Sequence, residues 1–408
     1  MFIIKVNNIY LGDNLSLLKK IDDNSMDSVV SDFPYNLSFM GKEWDTIPNY
    51  QGWCYERARE LLRVLKPGGY CLIFGGTKTH HRLVCAFEDA GFEVKDEISW
   101  IFAQGFPKSY NISKGFNKRK RIEREIISGI PMERIQYDAL ITDLAKQWDG
   151  WGTSLKPAHE PIMVAQKPRH GNYCDNVEKW GVGGLNIDDS RIEYNMEDTN
   201  PATNPLYRKQ NGYKMEHGID GSPSAYTLKK ERGEMNINNK GRFPANVIFD
   251  EVAGDMLDKQ SGILKSGSNC VRRKEGSFLE HGGLGKAGDI QTTYGDSGGA
   301  SRFFYCPKSS KKDRTENGRV ENNHPTVKPT TLIKYLVRLV TPPNGTCLDI
   351  CEGSGTHAKA CILLTSEGYP VNYVGFEKEK QYIDIANKRI EVNIKDIRDN
   401  KFKKEKAL

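Results

Sequence analysis

Leu348-Asp349-Ile350-Cys351-Glu352-Gly353-Ser354-Gly355-Thr356 decides the fold of this chain. The run from Thr346 to Ile350 reads as a short buried strand, Gly353-Ser354-Gly355 as a tight turn, and Thr356–Ser366 as a helix. Glycines in such a turn let the backbone approach a ligand closely, and doubly wound folds bind nucleotides in the crevice beyond the carboxyl ends of their strands. Taken alone, the turn is equally compatible with a plain strand-to-helix connection. Outward from it, Pro329–Val340 reads as a helix, Asn372–Phe376 as a strand and Lys380–Val392 as a helix.

The N-terminal part alternates in the same way. Ser25–Tyr35 (SMDSVVSDFPY) reads as a strand centred on Val29-Val30 and closed by a proline turn. The amphipathic stretch Cys54–Leu65 follows, stopped by Lys66-Pro67-Gly68-Gly69, and then a strand at Tyr70–Phe74. A helix near Lys78–Ala90, a strand pair around Phe92–Phe102 and a short strand at Pro161–Gln166 complete this part. The pattern predicts an α/β fold, a doubly wound and mostly parallel sheet assembled from residues 1–168 and 301–408. Residues 169–300 hold 20 of the 39 glycines in 132 of the 408 residues. That density predicts an inserted, loop-rich region, for which Trp180, Tyr207, Tyr213, Tyr226, Phe243 and Phe249 favour folding over disorder.

The formal charge of +6 across 408 residues is too small to identify a nucleic-acid binder. Its distribution says more: residues 104–125 carry a local net of +5 and residues 387–408 a net of +4. Nine cysteines without a C-x-x-C pair suggest neither a disulfide framework nor a cysteine zinc site, which fits a reducing cytosol. His80-His81 are adjacent and no His/Cys/Asp set has zinc spacing, so no metal is expected. No apolar run approaches the ~18 residues of a membrane span, and the start lacks a signal-peptide core, so a cytoplasmic protein is expected.

Two further features bear on chemistry. The strand after the glycine turn ends in Val374-Gly375-Phe376-Glu377, a carboxylate about 20 residues downstream, where an acid can accept from both ribose hydroxyls of an adenosine. A solvated carboxylate at a helix start is the competing reading. Ser31-Asp32-Phe33-Pro34-Tyr35 sets an acid at a strand end before a proline and an aromatic ring. Proline fixes φ and donates no N–H, so the Phe33 carbonyl and the Asp32 carboxylate can face one point as two acceptors, with Tyr35 offering a ring face to a flat base. An ordinary turn with an exposed acid is the plain alternative.

Together these motifs resemble the amino-group DNA methyltransferases, whose marks are an Asp-Pro-Pro-Tyr-like tetrapeptide and a glycine-rich S-adenosylmethionine loop. The tetrapeptide precedes the loop, an order similar to the circularly permuted β-group of that family. Gly12-Asp13-Asn14, His324-Pro325-Thr326-Val327-Lys328-Pro329 and Lys156-Pro157-Ala158-His159-Glu160-Pro161 also look familial. The resemblance covers roughly residues 1–168 and 301–395. It departs at Phe33, where the family has proline, and at Ile350-Cys351-Glu352, where Pro-Phe-x is usual.

The resemblance implies a site-specific enzyme moving the S-adenosylmethionine methyl group to N6 of a flipped adenine in duplex DNA. N4-cytosine methylation and a non-catalytic DNA-binding protein are the alternatives. Asp32 in first position, rather than serine, leans toward adenine. Asp32, Phe33, Pro34 and Tyr35 are the implied catalytic residues. Glu377 is implied to hold the cofactor's ribose, Asp13 its adenine, and Gly353, Ser354 and Gly355 with Thr326 and Lys328 its methionine end, Asp349 closing the loop strand. Lys118, Arg119, Lys120 and Arg121 are candidates for DNA phosphate contact, against a plain solvated helix face. The expected partners are duplex DNA and no membrane, with a homodimer and a cognate restriction endonuclease admitted as further ones. The lysine-rich tail Lys401–Lys406 is expected to fray.

Overall fold

Val29 and Val30 of β2 (Met26–Asp32), Leu72–Phe74 of β3 (Leu65–Phe74), Leu348 of β7 (Thr346–Asp349) and Val374 and Phe376 of β8 (Asn372–Glu377) are all at most 1% exposed. Continuous apolar runs of this kind belong to parallel strands covered on both faces. The computed structural model describes residues 4–38, 41–105, 107, 109–128, 142–192, 213–216, 227–230, 242–265, 270–271, 290–291, 297–307 and 312–406. The chain divides into two units, Met1–Ile101 with Glu160–Leu408, and Phe102–His159.

The first unit carries an eight-stranded sheet. With β1 (Asn8–Leu11), β4 (Glu93–Ile101), β5 (His159–Gln166) and β6 (Val247–Phe249), the order is β1-β8-β7-β2-β3-β5-β4-β6. The five strands from β1 to β3 run parallel, β5 is antiparallel to β3, and β6 is parallel to β4. Strands from the two chain ends interleave, which is the expected doubly wound, mostly parallel sheet.

Helices α1 (Asn14–Leu18), α2 (Tyr50–Val64) and α3 (His80–Ala90) supply Leu17, Ala58, Leu61 and Phe87 to a core with Val29, Ile73, Leu348 and Val374. At the other end of the chain, α8 (Thr330–Val340) packs on β2 and β3, α9 (Thr356–Ser366) on α8 and β8, and α10 (Lys380–Lys406) on β1 and β8. The sequence's expected strand pair near Phe92–Phe102 is one strand, β4. The expected stop at Lys66-Pro67-Gly68-Gly69 lies within β3: Gly68 takes φ +81°, a register shift between Met26 and Ser28 absorbs it, and Lys66 Nζ pairs with Asp27 at 2.6 Å. The tail expected to fray continues α10 to Lys406.

Several described parts of residues 169–300 pack on this sheet. Asn176 of α6 (Tyr173–Trp180) is fully buried and donates to the carbonyls of Pro67 (2.9 Å) and Val182 (2.7 Å). The strand β6 and α7 (Glu251–Ser261) lie in the same stretch of sequence. Tyr207 and Tyr226 fall outside the described residues.

The second unit holds α4 (Ile112–Ser128) and α5 (Asp143–Gln147). Its ends meet where Phe102 N donates to Ala158 O (2.9 Å), and Trp148 meets Trp151 edge-on at 5.0 Å. Lys118, Arg119 and Lys120 are exposed on α4, which also carries Arg121.

Arg389 of α10 is fully buried. It donates to Glu316 (3.0 Å), the Ser354 carbonyl (2.7 Å) and Thr356 Oγ1 (3.1 Å), while Lys359 bonds Glu316 and Asp313 at 2.7 Å. Removing one partner of a buried ion network leaves charge uncompensated. Arg389→Met is expected to lower stability by about 3–5 kcal/mol, measured by urea denaturation.

Candidate active site

The carboxyl ends of β1, β8, β7 and β2 open on one cavity of about 290 Å³. Gly12-Asp13-Asn14 follow β1, Asp32–Tyr35 close β2, Ile350, Cys351 and Gly353 follow β7, and Glu377–Glu379 close β8. Glu160, Thr326 and Lys328 complete the wall. This is the crevice that a doubly wound topology assigns to ligands.

At one end of the cavity Asp32 Oδ2 accepts from Lys328 Nζ at 2.6 Å. Its other oxygen, Oδ1, is buried without a hydrogen-bond partner. Lys328 Nζ also lies 3.2 Å from Tyr35 Oη and 3.3 Å from Glu160 Oε2, and Tyr35 Oη donates to that same Glu160 oxygen at 2.7 Å. Burial pushes the Asp32 carboxyl above its usual range; Lys328 opposes the shift and Glu160 adds to it. Burial works against the Lys328 ammonium too, but Asp32 and Glu160 together hold its pKa above the ordinary value.

The backbone here is held by side chains. Tyr50 Oη donates to the Pro34 carbonyl (2.9 Å) and Thr79 Oγ1 to that of Tyr35 (2.7 Å). The Phe33 side chain is 1% exposed, edge-on to Trp53 at 5.5 Å and tilted on Phe87 at 6.1 Å. Its ring belongs to the core, so the residue that departs from proline packs between Trp53 and Phe87.

At the other end Asp13 caps α1, its Oδ1 accepting from Ser16 N and Ser16 Oγ at 3.0 Å each, with Arg57 3.6 Å from Oδ2. The Arg57 guanidinium lies 4.0 Å from the Trp53 ring centre. Glu377 accepts from Gly353 N (2.8 Å) and Glu379 N (2.7 Å), and burial raises its pKa. Each oxygen keeps a further lone pair. Gly353 has φ +56°, and a Cβ there would stand 3.0 Å from His324 Nε2.

Three of the expected cofactor residues lie behind the wall. Gly355 packs on α10, where a Cβ would come within 2.7 Å of Ala386, and the Ser354 hydroxyl is taken by Asn322 and Arg389. Asp349 accepts from Ser31 Oγ (2.6 Å) and Cys351 N (2.8 Å) beneath the loop; burial and then Glu352 push its pKa up to about 7. Glu352 itself accepts from Ala358 N (2.9 Å) at the start of α9 and pairs with His357 at 3.1 Å. The unusual Ile350-Cys351-Glu352 therefore supplies a helix-capping carboxylate.

A family model described as a DNA methylase, of the N6/N4 amino-group class, matches residues 26–388. The chain belongs to this DNA methylase family. Among relatives, the type II methyltransferase M.HindIII of Haemophilus influenzae is 26% identical over 231 residues, covering 46% of this chain and 67% of that one. Matches to three further type II methyltransferases span 18–33% of their lengths. The solved PvuII DNA methyltransferase (cytosine-N4-specific) is 13% identical, covers 95% of this chain and 87% of its own, and has a TM-score of 0.44. M1.HpyAVI, solved as a complex with S-adenosylmethionine, is 16% identical with a TM-score of 0.39, covering 94% of this chain and 98% of its own.

As a DNA methylase, this chain uses S-adenosylmethionine as methyl donor, and its cavity fits that group. Carboxylates stand beyond β1 and β8, Gly353 leaves backbone room, Ile350 and Phe376 give apolar wall, and the orphan Asp32 Oδ1 sits at the far end. The sequence groups Lys328 with Thr326 at the methionine end; the structure sets its ammonium on Asp32 instead. Glu160 escaped the sequence reading as a site residue, although the segment containing it was noted. Arg57 and Trp53 also line the cavity and belong to no motif, and His324 lines it from the start of the familial segment His324–Pro329.

The raised Asp349 pKa has a consequence for stability. Unfolded, this carboxyl titrates near ~3.9, so between about pH 4 and about pH 7 the folded state binds more protons and stability falls as pH rises. An amide does not titrate. Relative to the wild type, Asp349→Asn is expected to gain about 2–4 kcal/mol on going from about pH 5 to about pH 8, measured by urea unfolding at each pH.

Proposed function

We propose that this methylase moves the S-adenosylmethionine methyl group to N6 of an adenine flipped out of duplex DNA. The observation that carries the reading is Asp32: a carboxylate in the cavity wall with one oxygen held by Lys328 and the other, Oδ1, buried without a hydrogen-bond partner. Asp32 Oδ1 and the Phe33 carbonyl accept the two N–H groups of the amine, which frees the nitrogen lone pair from conjugation with the ring. Tyr35 stacks the flipped base and offsets part of the few kcal/mol that flipping costs. S-adenosylmethionine supplies an electrophilic methyl group: the amine nitrogen bonds its carbon as the carbon–sulfur bond breaks, the electron pair leaving on sulfur. Asp32 then takes the proton that the nitrogen sheds.

On the cofactor side Glu377 holds the ribose, Asp13 the adenine amine, and the Gly353 backbone with Thr326 the methionine end. Asp349, Ser354 and Gly355 shape that loop from behind. Residues 169–300 select the sequence, their tyrosine, arginine and asparagine side chains being of the kinds that contact base edges and backbone. The exposed Lys118, Arg119 and Lys120, with Arg121, contact phosphates. The setting is a restriction-modification system in a bacterial cytoplasm.

Expressed in a methylation-free host, the protein is expected to deposit N6-methyladenine, identified by mass spectrometry of nucleosides from digested DNA. N4-methylcytosine in its place would assign the same acceptor pair to the other amine. Asp32→Ala is expected to abolish transfer while calorimetric binding of S-adenosylmethionine persists; near-normal turnover would sink the assignment. Replacing Lys118, Arg119 and Lys120 by glutamine is expected to flatten the log–log salt dependence of DNA binding by about 2–3, because each phosphate contact contributes about 0.9.

A further inference from the structure

The charges at the Asp32 end of the cavity do not cancel. Asp32 and Glu160 are two carboxylates around one ammonium, Lys328, whose Nζ lies 2.6 Å from the first and 3.3 Å from the second. Of the other titratable groups lining this part of the cavity, Asp45 is taken up by the Asn36 and Leu37 amides, and three more are neutral at neutral pH. Burial, then the nearby Lys328, lowers His324 to about 4; burial pushes the Cys351 thiol well up; burial and the two carboxylates push the Tyr35 hydroxyl well up. Arg57 stands at the other end of the cavity, paired with Asp13. The cluster therefore carries one net negative charge.

A lysine facing Asp32 alone would neutralise it and leave nothing to stabilise an amine that becomes positive as it accepts a methyl group. Glu160 restores that charge. It also ties down the geometry, since its Oε2 accepts from Tyr35 Oη at 2.7 Å while the same ammonium holds Asp32 Oδ2. We infer that Glu160 is a positioning residue for methyl transfer, holding Lys328 between two carboxylates so that Asp32 Oδ1 stays free and the cavity wall keeps one net negative charge. The inference rests on the acceptor role proposed for Asp32. As the amine nitrogen bonds the methyl carbon, the carbon–sulfur electron pair leaves on sulfur and the nitrogen becomes cationic. Asp32 Oδ1 accepts one N–H proton, giving a neutral methylated amine and a carboxylic acid that returns the proton to solvent after product leaves. The Lys328 side chain is 9% exposed and those of Asp32 and Glu160 22% each, so the charge acts in a partly desolvated setting where it is less screened than in water.

Glu160→Gln keeps the shape and an oxygen to accept from Tyr35 but removes the charge. With methylation-free genomic DNA and tritiated S-adenosylmethionine, its single-turnover rate is expected to fall about 100-fold, with the acid limb of the pH profile moved to lower pH. Glu160→Asp, which keeps the charge, is expected to recover most of the rate. In the ligand-free protein, carbon-13 NMR of labelled aspartate carboxyls is expected to show Asp32 titrating at lower pH in Glu160→Gln and at higher pH in Lys328→Met. A wild-type rate in Glu160→Gln, or an Asp32 midpoint unmoved in both variants, would overturn the inference. A slower rate with an unmoved acid limb would reduce Glu160 to a packing role and overturn it as well. If the wild type itself methylates no DNA, the proposed function fails, while the ligand-free titration still decides where the charge acts.

Discussion

The parallel pairing of β7 with β2 is the constraint on which everything else depends. Cys347 and Leu348 lie beside Ser28 and Val29, joining segments more than 300 residues apart in the chain. Ser31 Oγ donates to Asp349 Oδ1 across the same seam at 2.6 Å. Without this pairing the acidic tetrapeptide and the glycine turn would be two unrelated loops. With it, both leave the sheet on the same edge and enclose one cavity, because strands that run the same way end on the same side. The cost is a long loop closure, which grows only slowly with chain length and is offset by the buried apolar faces of five parallel strands.

Burial then governs the chemistry. Charged groups leave water only where partners replace it. Two such clusters flank the cavity: Lys359, Arg389, Asp313 and Glu316 behind the cofactor loop, and Lys328, Asp32, Glu160 and Tyr35 at its far end. The first is saturated with hydrogen bonds and acts as a clamp on the loop. The second leaves Asp32 Oδ1 unpartnered. The contrast separates the two clusters more sharply than burial does, since Asp32 and Glu160 in one and Asp313 in the other are all 22% exposed.

Two departures from the family pattern turn out to be packing decisions. Phe33 stands in for proline and its ring fills the space between Trp53 and Phe87. Ile350-Cys351 stand in for Pro-Phe and lead to Glu352, whose carboxylate caps α9 and pairs with His357, fitting against Gly375, where a Cβ would come within 2.6 Å of it. In both cases neighbouring residues accommodate the side chain. Adjacent residues alone could not reveal this, because Phe87, Gly375 and His357 are remote or belong to other elements.

From the sequence alone came the alternation of strands and helices at both chain ends, the proline and glycine loops that end β2 and β7, and their order. Those are local properties, set by apolar periodicity and by the backbone demands of proline and glycine. The roles of Lys328 and Glu160 were decided by tertiary structure. Each lies in a segment that looked familial, yet which of them meets Asp32 depends on where three separate strand ends and loops converge. The same holds for the surroundings of Ser354, whose hydroxyl meets Arg389, and of Gly355, whose Cα packs on α10. Distances between side chains from different elements follow from packing, and no spacing along the chain encodes them.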